Sequence, residues 1–139
     1  MRTFSAATVA PPGVVWDLLA RPGAWRRWSP HVRGAWGLGE PEVRDGATGA
    51  AWLLGVLPVP ARVTGKRAGR SWTWRVGLGL VEMVHRVDSR AGGGSTVSVD
   101  LSAPGALEPV LALAYGPLIE VSLRRLAHAA EDVVGAPAE

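Results

Sequence analysis

Between Arg70 and Leu101, apolar and polar side chains alternate with a period of two in three successive runs. Trp72, Trp74 and Val76 oppose Ser71, Thr73 and Arg75; Val81, Met83, His85 and Val87 oppose Glu82, Val84, Arg86 and Asp88; Val97, Val99 and Leu101 oppose Thr96, Ser98 and Asp100. A strand turns successive side chains to opposite faces, so each run predicts a half-buried strand. Short turns separate them, Gly92-Gly93-Gly94 being the plainest, and together they predict an antiparallel sheet with one wet face. Upstream, shorter alternations at Val32-Gly34-Trp36-Leu38, Trp52-Leu54 and Val59-Ala61-Val63 predict further strands, and Thr3 to Val9 suits an opening strand.

Elsewhere the period lengthens. Pro11-Pro12 ends the first strand and opens a helix in which Val15, Trp16, Leu18 and Leu19 fall at helical spacing, closed by Arg21-Pro22-Gly23. A second short turn, Ala24 to Trp28, stops at Ser29-Pro30, because the residue before proline is pushed out of the helical region. The last third predicts a long helix. Leu111, Leu118, Ile119, Leu126 and Val133 form its apolar stripe, Arg124, Arg125, Glu131 and Asp132 fill part of its outer face, and Gly116-Pro117 predicts a kink. The predicted order is a strand, two short helices, about six antiparallel strands and a long C-terminal helix: an α+β chain. No linker-like or repetitive segment divides it, so residues 1–139 read as a single domain.

Composition removes several chemistries. The 139 residues contain no Cys, which excludes a thiolate nucleophile, a Cys-built zinc site, an iron–sulfur cluster and a redox dithiol. His31, His85 and His128 fall on separate predicted elements without a paired ligand at metal spacing, so no metal site and no cofactor are expected. Gly37-x-Gly39 and Gly77-x-Gly79 lack the third glycine of a dinucleotide fingerprint, Gly92-Gly93-Gly94-Ser95 lacks the phosphate-loop lysine, and no G-x-S-x-G elbow occurs. The formal charge is only +3, and the basic residues, all Arg except Lys66, do not cluster, so no nucleic-acid partner is expected. The most apolar stretch, Leu101 to Ile119, holds Glu108 and three prolines, which predicts no membrane span. Pro11, Pro12 and Asp17 interrupt the N-terminus too early for a signal-peptide core, and a cytoplasmic location is expected.

Several short features then occur in a telling order: Ala10-Pro11-Pro12 with Val15-Trp16-Asp17-Leu18-Leu19, then Trp25…Trp28-Ser29-Pro30, Asp45-Gly46, Trp72-x-Trp74, Met83-x-His85, a glycine-rich turn before Ser95-Thr96-Val97, and the terminal helix. Over the whole chain this order resembles the START-like superfamily, most closely its polyketide cyclase/dehydrase and lipid-transport branch. The resemblance implies a helix-grip (Bet v 1-like) fold, in which a bent antiparallel sheet wraps the long helix around an elongated apolar cavity. It also implies a small hydrophobic ligand, lipid-like or aromatic and polyketide-like, as the partner; monomer and homodimer both stay open.

Under that reading the inward parity gives the cavity wall. The candidate ligand-binding residues are Trp36, Trp52, Trp72, Trp74, Met83, His85, Leu111, Tyr115 and Leu118. His85 is an ionisable ring among Val81, Met83 and Val87, available as an acid/base, as a ligand contact, or as a satisfied core histidine. Tyr115 precedes the predicted kink, where its phenol is a candidate to pair with His85 or to anchor the helix–sheet interface. Trp16, Trp25 and Trp28 are expected to pack the small helices against the sheet. Three functions remain open: ligand binding, a polyketide cyclase/dehydratase-type reaction with His85 and Tyr115 as catalytic candidates, and a protein-interaction or chaperone-cofactor domain if the indoles fill the interior.

Overall fold

The computed structural model describes residues 1–53 and 57–135; Leu54 of the Trp52-Leu54 alternation lies outside the described residues. Seven strands form one sheet: β1 (Arg2–Thr8), β2 (Val32–Trp36), β3 (Thr48–Leu53), β4 (Leu57–Arg67), β5 (Ser71–Val76), β6 (Val81–Ser89) and β7 (Ser95–Ser102). Between β1 and β2 lie helix α1 (Pro12–Ala20) and a 3-10 helix (Pro22–Arg27), and α2 (Leu107–Gly135) follows β7. The sheet order is β1-β7-β6-β5-β4-β3-β2, and every pairing is antiparallel. Each strand from β2 to β7 is thus a neighbour of the next, and β1 closes onto β7. The architecture is the curved antiparallel sheet and long C-terminal helix of the helix-grip fold.

Local chemistry explains the helical starts. Pro11 is extended (φ −68°, ψ 155°) and its carbonyl accepts from Val14 N at 3.1 Å, while Pro12 needs no donor at the first helical position. The short turn expected at Ala24 begins two residues earlier, because Pro22 is equally suited to a first turn. One unbroken helix runs through Pro117. Both Pro117 and Leu113, whose carbonyl lies one turn earlier, are exposed, so water can serve the group that the proline ring cannot.

The regular parity of β5, β6 and β7 holds in register. Trp72 pairs with His85 and Trp74 with Met83, then Met83 with Leu101, His85 with Val99 and Val87 with Val97. The opposite face of β7 is less wet than its polar residues predict. Asp100 is buried, and it accepts from Arg86 Nε (2.8 Å) and Nη2 (3.0 Å) and from Thr3 Oγ1 (2.8 Å). This cross-strand group ties β1, β7 and β6 together on the outer face, and the Arg86 hydrogen bonds hold the Asp100 carboxyl below its ordinary pKa.

Expectations fail on β2, on β3 and on α2. β2 shifts register between Val32, opposite Leu53, and Ala35, opposite Ala51. The extra residue reverses the parity of the β2 positions beyond it, so Ala35 turns toward the core and Trp36 outward, 63% exposed; β3 pairs with β4 without a shift, and there Ala51 is the buried residue while its neighbour Trp52 faces outward, 37% exposed. On α2 the buried line is Gly116, Ile119, Leu123, Leu126, Ala127 and Ala130, whereas Leu118 and Val133 are exposed. Small residues set this face: a Cβ on Gly116 would lie 2.9 Å from the ring of Phe4 on β1, so the helix sits directly on that strand.

Candidate functional site

The interior is organised around the end of α1. A helix leaves its last carbonyls without intrahelical donors, and here three indoles supply them. Trp25 Nε1 donates to Leu19 O at 3.0 Å, Trp72 Nε1 to the same oxygen at 3.2 Å, and Trp28 Nε1 to Leu18 O at 2.9 Å. These bonds join α1, the 3-10 helix, the segment after it and β5, which is why three bulky aromatic side chains hold fixed positions between the sheet and the small helices.

The rings also order one another. Trp72 is parallel to Trp25 (5.6 Å between centroids, 9°) and to His85 (3.8 Å, 7°), and Trp74 meets Trp25, Trp72 and His85 edge-on at 5.5, 5.3 and 5.6 Å. Both geometries suit the quadrupole of an aromatic face. His85 Nδ1 lies 3.3 Å from the Trp72 carbonyl oxygen, which can only accept, so Nδ1 carries the proton and Nε2 is left as an acceptor. Burial lowers the pKa of His85 from 6.5 to about 4, against the opposing pull of that carbonyl and of Asp100. The ring is therefore neutral at pH 7.

Beside this cluster is a pocket of about 60 Å³ lined by Trp25, Trp28, Trp74, Met83, His85 and Ile119 among others. Its wall is mainly apolar, interrupted by His31, His85 and the hydroxyls of Ser29 and Ser122, which are engaged with Val32 N and Leu118 O. Among the described residues, Trp74 Nε1 and His31 Nδ1 are the buried side-chain nitrogens without a hydrogen-bond partner, and both residues line this pocket. Leaving a buried donor unpaired costs about 1–3 kcal/mol, so an acceptor at Trp74 would be well received. Burial also lowers the pKa of His31, whose ring stands edge-on to Tyr115 at 5.3 Å.

The expected site residues thus separate. Trp72, Trp74, Met83 and His85 converge on the pocket. Trp36 and Trp52 do not; the bulge turns Trp36 outward, the regular alternation of β3 does the same for Trp52, and both line a wide, open cleft with Arg26, Arg27 and Arg44. That cleft is larger, at about 1510 Å³, but its charged side chains are exposed, so it is a surface groove rather than a desolvated site. Leu111 is half-buried and Leu118 exposed, and neither reaches the pocket. Tyr115 neighbours His31 instead of His85. Sequence parity missed Trp25, Trp28, His31 and Ile119 as pocket residues, since the first three lie outside any strand and Ile119 is one position from the expected Leu118. The useful signal was the clustering of indoles just after α1, where bare carbonyls require donors.

Among the described residues no cluster of His, Asp and Glu could hold a metal ion. No helix among them is long and apolar enough to cross a membrane.

Solved structures share this architecture. XoxI from Bacillus cereus superposes with a TM-score of 0.71 at 17% identity, over 97% of this chain and 98% of that one. A START superfamily protein from Mycobacterium smegmatis gives 0.69 at 12% identity, over 95% and 97%. DynU16, a protein of the dynemicin biosynthetic locus, gives 0.69 at 18% identity over 93% of this chain, which spans 46% of DynU16. At these identities the likeness is one of fold. Comparison with curated proteins returned no match. The family model for polyketide cyclase/dehydrase and lipid transport, by contrast, matches residues 2–131, nearly the whole chain, and the protein belongs to that family.

Proposed function

We propose that the protein binds a compact, neutral, largely apolar molecule carrying a hydrogen-bond acceptor, seated between sheet and α2 against Trp74, Met83 and His85. One observation carries this reading: the unpartnered Nε1–H of Trp74, buried in a wall that is mainly apolar. An acceptor such as a carbonyl would pair with that donor, and a hydroxyl on the same molecule would suit the free Nε2 of His85. Size supports a compact molecule over a long chain. Drug-sized sites hold roughly 300–1,000 Å³, whereas this pocket is about 60 Å³. Room for more depends on Met83, an unbranched side chain that changes rotamer readily.

The catalytic alternative is less well supported. A general acid/base works best with a pKa near the operating pH, and a histidine at about 4 is a weak base and lacks the second, acidic proton of an imidazolium at pH 7. Acetophenone and ethylbenzene, nearly isosteric, test the binding reading by quenching of tryptophan fluorescence. The ketone is expected to bind about fivefold more tightly, the worth of one net hydrogen bond near 1 kcal/mol. Trp74→Phe should erase that preference and Met83→Trp should abolish binding of both. Equal affinities in the native protein, or binding unaffected by Met83→Trp, would remove this pocket as the site.

A further inference from the structure

The two edges of the sheet differ. At one, β1 lies against α2, whose Gly116 sits on the ring of Phe4. At the other, β2 borders the wide cleft of about 1510 Å³, which is lined by Gly34, Ala35 and Trp36 on one side and by residues of the 3-10 helix on the other. The carbonyl oxygen of Trp36 lies against Gly49 of β3. Backbone polar groups of successive strand residues point to alternate sides, so the N–H and C=O of Ala35 point away from β3 and into the cleft. Among the described residues no backbone group outside the sheet pairs with them, and a Cβ on the neighbouring Gly34 would meet nothing within 4 Å. Such an open strand edge is a template for a further strand.

Along this edge the two faces of the sheet offer different chemistry. On the outer face stand the exposed indoles of Trp36 and Trp52; Trp36 lies opposite Ala50, so Trp52 is its diagonal neighbour. The 3-10 helix lies over the inner face, where its Trp25 stacks on Trp72, and it brings Arg26 and Arg27 to the cleft. Arg44 joins them from the β2–β3 connection. All three arginines are exposed, and among the described residues none of them is in an ion pair, whereas Arg21 at the cleft margin is held by Asp17 at 3.4 Å.

We infer that β2 receives an extended acidic segment of a partner protein, which adds a strand to this edge. Its backbone pairs with Ala35, its carboxylates face Arg26, Arg27 and Arg44, and its alternate apolar side chains cover Trp36 and Trp52. Three features select this occupant. The free guanidinium charge favours an acidic chain and opposes the pairing of two copies through the same edge. The N–H and C=O of Ala35 call for a backbone that offers both a donor and an acceptor, and a phosphodiester backbone has no donor. Glu40 and Asp45 also line the cleft, and they repel a chain with a phosphate at every residue more than a peptide whose carboxylates fall on every second one. Among the described residues the cleft shares no lining residue with the inner pocket, so the inference holds whether or not that pocket takes a ligand.

Fluorescence anisotropy with a fluorescein-labelled peptide of alternating Glu and Val tests it. The peptide is expected to bind, and its counterpart with Lys in place of Glu to bind at least about tenfold more weakly. Arg26→Glu combined with Arg27→Glu should weaken the acidic peptide about tenfold, two exposed pairs each being worth a few-fold. The unfolding temperature should stay nearly unchanged, because both side chains are exposed. Backbone pairing is read by N-methylating alternate amides of the peptide in either phase. One phase should cost about fivefold or more, the worth of a net hydrogen bond, and the other little. Failure of the acidic peptide to bind, equal binding of acidic and basic peptides, or indifference to both N-methyl phases overturns the inference. So does tighter binding of labelled oligothymidylate, which would give the cleft to a nucleic-acid strand, or a dimer of the chain that forms through this edge while the peptide fails to bind.

Discussion

His85 has exchanged hydration for a stacked position on Trp72, and the exchange is measurable. Its pKa is about 4 in the folded protein and returns to about 6.5 in the unfolded chain. Between these values the unfolded state binds a proton that the folded state does not. The contribution to stability is therefore complete above about pH 6.5 and is lost as the pH falls toward about 4. A shift of this size corresponds to something on the order of 3 kcal/mol, and burial of His31 acts in the same direction. Urea unfolding should show the midpoint falling across this window, with most of the fall absent in His85→Phe; an unchanged pH profile in that variant would place the titration elsewhere. The two neighbouring indoles differ in a second way. Trp72→Phe removes a donor to Leu19 O as well as stacked area, with an expected loss of about 2–3 kcal/mol, whereas Trp74→Phe breaks no hydrogen bond and should cost about 1 kcal/mol. Equal losses in chemical denaturation would contradict the separate roles.

At the scale of elements, legibility followed regularity. β5, β6 and β7 pair without a register shift, so simple alternation placed Trp72, Trp74, Met83 and His85 on one face together. β2 contains a bulge that alternation cannot reveal, and the same reasoning carried Trp36 to the wrong face; Trp52 failed for another reason, since on β3 the small Ala51 and not the neighbouring indole is buried. On α2 the large residues Leu118 and Val133 drew the expected stripe, but close approach to β1 favours small side chains, and Gly116, Ala127 and Ala130 form much of the buried line. The order of elements and the family were readable from proline placement and period. The pocket was readable only where it is built from strands. The bulged pairing has its own vulnerable point, for a Cβ on Gly49 would overlap the carbonyl oxygen of Trp36. Gly49→Ala should push β2 off β3, costing at least about 2–3 kcal/mol, as overpacking does. Hydrogen exchange should rise selectively at Val32 to Trp36; uniform protection would show that the pair accommodates a methyl group.

Across the whole molecule, most of the buried apolar side chains among the described residues form one continuous cluster. It runs from Val15, Leu18 and Leu19 on α1 through Trp25, Trp72 and Trp74 to Val97 and Val99 on β7 and Leu123 and Leu126 on α2. No layer can leave without exposing another: removing α1 strips three indole donors of their acceptors, and removing α2 uncovers β1 and β7. The tryptophans report the small helices and β5, while far-UV circular dichroism is weighted toward α2, so the two signals sample opposite sides of the cluster. If the cluster is one cooperative unit, their urea transitions should coincide, and the calorimetric and van't Hoff enthalpies should agree. A circular-dichroism transition that precedes the fluorescence change would instead mean that α2 detaches from a sheet held by its indoles. That order would also bear on binding, because the pocket is closed on one side by Ile119 and Leu123 of α2, and a helix able to lift would admit molecules far larger than the closed volume allows. Coincident transitions therefore do more than count cooperative units: they tie access to the pocket to local side-chain motion, with Met83 the residue best suited to provide it.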